Sequence, residues 1–168
     1  MARLPLPTRE QLKVEDQKYW DQIAAGRGTV GGVFRALLIT PDLAARVSKV
    51  GEFTRMNPKI SPAVREIAVL TVDREAACPR HWAAHEPMAV QAGVRRKVID
   101  GIRSGTSAGF TSEEKVIHDF AVEIFHRKLT DKTWEATAAY LGKTVAAELA
   151  VTIGFTTMMI QLMEAFPG

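Results

Sequence analysis

SPAVREIAVLTVDREAACPRHWAAHEPMAVQAG, residues 61–93, spells out two helices and the break between them. Ser61-Pro62 sets an N-cap and a proline at the first helical position, where a missing N–H costs nothing, and the apolar run after it extends the helix through AVREIAVLTVDREA. Cys78-Pro79 repeats the device, and Gly93 stands where the second helix should stop. A turn near Ala77 leaves so short a connection that the helices must be antiparallel neighbours. At about 1.5 Å per residue, Glu66 lies about 16 Å from that turn and His85 about 12 Å from it, so the two sit at comparable depth.

The second helix carries the chain's single cysteine and two of its four histidines within eight positions. At about 100° per residue, Cys78, His81 and His85 fall within roughly 60° of arc, on one face. A Glu66 to His85 hydrogen bond is therefore feasible. A carboxylate on one ring nitrogen would fix the tautomer and raise the basicity of the other, as acid/base catalysis requires. Glu66 lies between PAVR and IAVL, where an unpaired carboxylate is costly, so it needs a partner; Arg65 and Arg74 are the alternatives to His85.

Plainer readings stand beside these. A lone cysteine is commonly an inert small hydrophobe, whereas a helix N-terminus beside Arg80 and His81 is where a thiol pKa falls. Cys78, His81, His85 and Glu66 are four zinc-type ligands, but the run lacks a second ligand cluster and its two-turn span would splay ligands that zinc holds at about 2.0–2.3 Å, so no metal is expected. Trp82, Trp134 and Phe155 suit a core or an interface, and Trp82 also a substrate wall. His118 and His126 read as structural or solvated. Arg35 and Arg55 could meet a substrate carboxylate, although surface arginines are mostly solvated.

The rest of the chain is punctuated for helices and lacks alternating strand runs, so an all-α fold of about eight helices in one domain, 1–168, is expected. Thr8 with Gln11 offers a capping box for a first helix to about Ala24; Thr40-Pro41 caps DLAARVSKVGEFTRM; Thr111 with Glu114 caps SEEKVIHDFAVEIFHRK, whose Val116, Ile117, Phe120, Ala121, Ile124 and Phe125 form one stripe. Two further helices close the chain. AAGRGTVGG and RSGTSAG are glycine-rich loops without the strand-to-helix setting of a nucleotide fingerprint.

Composition narrows the partners. The net charge of +3 is spread over 22 basic and 19 acidic residues, without the basic stripe a phosphate backbone needs, so nucleic acid is not expected. The start, MARLPLPTREQ, has no apolar signal core, and one cysteine precludes an internal disulfide; both suit the cytoplasm. TVAAELAVTIGFTTMMIQLMEAF is interrupted by Glu148, Gly154, Gln161 and Glu164 and reads as a buried helix, not a membrane span. Val145, Ala146, Leu149, Ile153, Thr156, Ile160 and Met163 line one side of it, while Val151, Phe155, Met158, Met159 and Leu162 populate the rest. One core in an 18.5 kDa subunit covers only part of such a helix, so a homo-oligomer, a trimer or a dimer-based multiple, is expected.

FRALLITPDLAARV, SPAVREIAVLTV and CPRHWAAHEPMAVQAGV, in this order and spacing, resemble the carboxymuconolactone decarboxylase family of the alkylhydroperoxidase D-like (AhpD-like) superfamily, from about Leu4 to Phe166. The resemblance implies an all-helical subunit that assembles into trimers, hexamers or related oligomers, with its active site near the antiparallel pair. Two departures stand out. Alkylhydroperoxidase D uses a C-x-x-C pair followed four residues later by histidine, and here His81 replaces the second cysteine. The decarboxylase branch carries a segment such as CEYEWAAH; Trp82 and the frame match it, whereas Arg80 and His81 invert its local charge.

The leading expectation is a cofactor-free acid/base lyase acting on a small carboxylated or lactone-type ring compound. His85 oriented by Glu66 moves the proton, His81 and Arg80 stabilise developing negative charge, Cys78 walls the pocket or acts as an auxiliary donor, and Trp82 and Arg35 contact substrate. The alternatives are a one-cysteine peroxidase using Cys78 and an oligomer that binds a small acid without converting it.

Overall fold

The computed structural model describes residues 3–167. Its α-helices are α1 (Gln17–Arg27), α2 (Val33–Leu37), α3 (Pro41–Met56), α4 (Pro62–Glu75), α5 (Pro79–Gln91), α6 (Arg96–Ser104), α7 (Ser112–Phe125), α8 (Asp131–Leu141) and α9 (Lys143–Ala165), with no strand among the described residues. The chain divides into two compact units, one of residues 1–56 and 161–168 and one of residues 57–160.

In the first unit α1 and α2 pack on α3. The Thr8–Gln11 box forms, with Thr8 N–H donating to Gln11 Oε1 at 2.8 Å, but it closes only a 3-10 turn, Arg9–Gln11. Leu12 and Lys13 then take extended ψ values of 151° and 147°, so the long first helix expected from this box is instead two 3-10 turns followed by α1. No apolar stripe spans residues 9–16 to hold a longer helix against a core.

In the second unit α4 is central: it packs against α5, α6 and α7, and Ile67, Ala68, Val69, Leu70 and Val72 are all buried. Burying each of the larger side chains contributes about 1.5–3 kcal/mol before entropy is counted, which is why a helix apolar on nearly every side becomes the core. Ser61 Oγ accepts from Val64 N–H at 3.3 Å and Pro62 opens the helix, as the sequence implies.

The end of α4 builds the site. Ala77 N–H donates to Arg74 O at 3.0 Å and Cys78 N–H to Asp73 O at 2.9 Å, the paired bonds of a Schellman motif. That motif needs a left-handed residue, and Ala77 supplies it at φ 51° without being glycine. Chain direction reverses within three residues, Cys78 becomes the N-cap of α5, and the antiparallel pair follows.

α9 is long and apolar enough to cross a membrane by length and composition alone. Ala146, Leu149 and Ile153 on it are nevertheless buried, and Glu148 is tied to the segment before α4 by Asn57 Nδ2 at 2.7 Å and Lys59 Nζ at 2.9 Å.

Candidate active site

Two carboxylates of α4 reach two imidazoles of α5. Glu66 and Asp73 are seven residues apart, two helical turns, and therefore share a face. Each is about 1% exposed. Glu66 Oε2 lies 2.8 Å from His85 Nδ1, and its Oε1 accepts from Arg65 Nε at 3.1 Å, a guanidinium that supplies the opposite charge a buried carboxylate needs. Asp73 Oδ1 lies 2.6 Å from His81 Nδ1. An ionised carboxylate only accepts, so each Nδ1–H donates and each Nε2 is left as the acceptor nitrogen. The two rings stack, centroids 4.4 Å apart and planes 23° from parallel.

The Asp73–His81 pair is the main feature that sequence reasoning missed. Its signal was present: Asp73 follows Glu66 by seven residues on a helix already placed against α5. Asp73 also carries the one orphaned atom here, since Oδ2 is buried without a hydrogen-bond partner.

Beside the pair lies an open pocket of about 360 Å³, lined by Asp73, Arg74, Ala77, Cys78, Pro79, Trp82 and Arg103. Cys78 is a buried free thiol in its wall, and Asp73 belongs to both the wall and the imidazole cluster. Glu86 organises the far side. It accepts from Trp82 Nε1 at 2.9 Å and from Arg96 Nη1 at 3.1 Å, and it pairs with Arg103, whose guanidinium sits 5.0 Å above the Trp82 ring. The Glu86 carboxyl is held below the ordinary glutamate value by the Trp82 N–H, and further by Arg103 and Arg96 against the opposing effect of burial. Arg103 comes from α6, and the left-handed Gly105 after it leaves room for Arg74: a Cβ there would lie 2.2 Å from Arg74 Nη2.

Trp82 is in the pocket wall, whereas Arg80 is exposed on α5. Arg35 on α2 donates from Nε to Pro7 O at 3.1 Å and from Nη2 to Leu6 O, so its guanidinium binds the chain's own carbonyls. His118 pairs with Asp119 at 3.0 Å and His126 with Glu75 at 2.7 Å, structural roles for both. No three His, Cys, Asp or Glu side chains converge as metal ligands among the described residues.

The fold recurs in solved structures. The chain has the AhpD-like fold. A peroxidase-related protein from Ralstonia eutropha JMP134, described as an alkylhydroperoxidase AhpD core, superimposes with a TM-score of 0.78 at 16% identity, over 98% of this chain and 90% of that one. The debrominase Bmp8 without ligand gives a TM-score of 0.73 at 16% identity, over 92% and 87% of the two chains. A Cys-to-Ala variant of Bmp8 in complex with 2,3,4-tribromopyrrole gives 0.71 at 16% identity, over 98% and 91%. No protein-family model and no curated protein sequence matches the chain. At this identity the AhpD-like likeness establishes the fold, and function must be argued from the site.

Proposed function

We propose that the protein is a cofactor-free acid/base enzyme, decarboxylase-like, acting on a small carboxylated or lactone-type ring compound. The observation that carries this reading is the buried Glu66 carboxylate 2.8 Å from His85 Nδ1, which leaves Nε2 of a half-buried imidazole as the proton-transfer atom. His81 repeats the arrangement on Asp73, and Arg74 and Arg103 in the adjoining wall offer guanidinium donors to a carboxylate.

In a decarboxylation the bond from ring carbon to carboxylate breaks, CO2 leaves, and the electron pair stays on the ring, delocalised and stabilised by the cations. His85 Nε2, having first taken up a proton from solvent, delivers it to that carbon, and the imidazole returns to its neutral form. Catalysts with AhpD-like folds, a debrominase bound to a halogenated pyrrole among them, are compatible with a small ring substrate. A panel of lactones and aromatic acids, with products identified by mass spectrometry, tests the reading: His85→Ala should lose at least about 100-fold in turnover. Full turnover by that variant on every accepted substrate would overturn it.

A second reading is favoured by the position of Cys78 in the pocket wall, and by the peroxidase-related neighbour. The Cys78 thiolate would attack a peroxide oxygen, the O–O bond would break, an alcohol would leave with a proton, and an external thiol would resolve the sulfenic acid. Loss of the thiol to peroxide no faster than in free cysteine excludes it.

We also propose a homo-oligomer joined through α9. Val151 is 50% exposed there, and Phe155 and Met158 on the same stripe are only half-buried in one chain.

A further inference from the structure

Two guanidiniums line the Cys78 pocket within reach of a solute: the side chain of Arg74 is 42% exposed and that of Arg103 48%. They are held differently. Arg74 Nη1 donates to Glu75 at 2.6 Å, and the other partner of Glu75 is His126. Arg103 Nη2 donates to Glu86, which also accepts from Trp82 Nε1 at 2.9 Å and from a second guanidinium, Arg96 Nη1, at 3.1 Å. Arg96 opens α6 and is not in the pocket wall; its Nε pairs with Asp100 at 3.0 Å, and both of those side chains are more than half exposed.

Glu86 therefore keeps a charge-assisted bond and an indole N–H if Arg103 turns away from it. A guanidinium carries five N–H donors, so Arg103 can engage an incoming carboxylate before it leaves Glu86. Trp82, under the same guanidinium, supplies an apolar wall for a ring.

We propose that Arg103 receives the carboxylate of the ring ligand, that Glu86 is a resident carboxylate competing for the same guanidinium, and that Arg96, outside the pocket, sets the outcome by sharing Glu86. Whatever raises the demand of Glu86 for Arg103 weakens the ligand, and whatever lowers it tightens the ligand. Arg96 is then a positioning residue, and the pocket selects anionic rings over uncharged ones. This deepens the functional reading above and rests on its carboxylated ring substrate, but it is a statement about binding.

Benzoate and benzamide have the same ring and nearly the same shape and differ in charge. Calorimetric titration of the full chain with each should give at least about tenfold tighter binding of benzoate, and Arg103→Ala should bring the ratio to near unity. Arg96→Ala should weaken benzoate about two- to fivefold, the range that an exposed ion pair spans, and leave benzamide unchanged, with Arg96→Lys restoring most of the loss. Glu86→Gln should tighten benzoate by a similar factor. In the Arg103→Ala background the effect of Arg96→Ala should vanish.

Weaker benzoate binding by Glu86→Gln would make Glu86 an anchor for Arg103 and not its competitor, and overturns the proposal. An equal loss from Arg96→Ala with and without Arg103 would reduce Arg96 to a distant charge and overturns it too. So does an unchanged ratio in Arg96→Ala, a benzoate preference that survives Arg103→Ala, equal affinities in the wild type, or no saturable binding of benzoate up to about 10 mM. Arg96 is on the surface, so its variants carry the test if Glu86→Gln does not fold. No turnover is measured: failure here leaves proton transfer by His85 standing, and full turnover by His85→Ala leaves the Arg103 site standing.

Discussion

Replacing Glu66 by glutamine changes one atom and tests the arrangement on which the site depends. The carboxylate, about 1% exposed, accepts from His85 Nδ1 at 2.8 Å and from Arg65 Nε at 3.1 Å. Glutamine offers one carbonyl oxygen, so its amide N–H₂ must face one of those donors. Losing one charge-assisted bond costs about 1.5–3 kcal/mol, and breaking a buried pair outright about 3–5 kcal/mol. Because one bond survives, about 3 kcal/mol is expected. For a chain of this length each kcal/mol moves Tm by about 2–4 °C, so Glu66→Gln should melt about 6–12 °C below wild type. Urea unfolding followed by circular dichroism at matched protein concentration measures the free energy directly. A double-mutant cycle with His85→Ala should give a coupling above about 1 kcal/mol. A Glu66→Gln midpoint within about 1 °C of wild type, or strict additivity in the cycle, would refute the reasoning.

Ala77→Gly should stabilise the fold by about 0.5–1 kcal/mol in the same urea assay, because φ 51° strains an L-residue by more than glycine's extra chain entropy removes. Acid should destabilise the protein through particular carboxyls. Burial pushes Glu75 up, but hydrogen bonds from His126 and Arg74 outweigh it and leave the carboxyl below its ordinary value; Glu86 is depressed as well. Such groups contribute stability that is fully present above the unfolded glutamate value of about 4.3 and is lost as pH falls through the lower folded values. The urea midpoint should therefore drop below about pH 4, and Glu75→Gln should flatten that drop; an unchanged acid limb would contradict it. Light scattering at low micromolar concentration should return a multiple of 18.5 kDa, reduced by Val151→Asp, and a clean monomer mass would dismiss the α9 interface.

Local rules written in single residues carried far in this chain. Ser61-Pro62, Cys78-Pro79 and Thr111 with Glu114 each act within one helical turn, so the starts of α4, α5 and α7 are readable from neighbours alone. The Glu66–His85 pair was readable too, because a connection of three residues constrains two antiparallel helices enough for distance from the turn to predict depth. The Thr8–Gln11 box shows the limit of such rules: the cap formed, but no tertiary contact extended the helix behind it.

What the tertiary structure decided was the rotation of each helix about its axis and the company brought by distant segments. The face that Glu66 and Asp73 share by their spacing meets His85 and His81 because α4 is turned toward α5. Arg103, 17 residues beyond Glu86, meets it and Trp82 because α6 packs beside α4 and α5. Arg35 donates to backbone carbonyls of the segment before α1, a contact that no local motif announces. Helical phase and long-range approach are settled by the packing of whole side-chain surfaces, a global optimum that no spacing within one segment encodes.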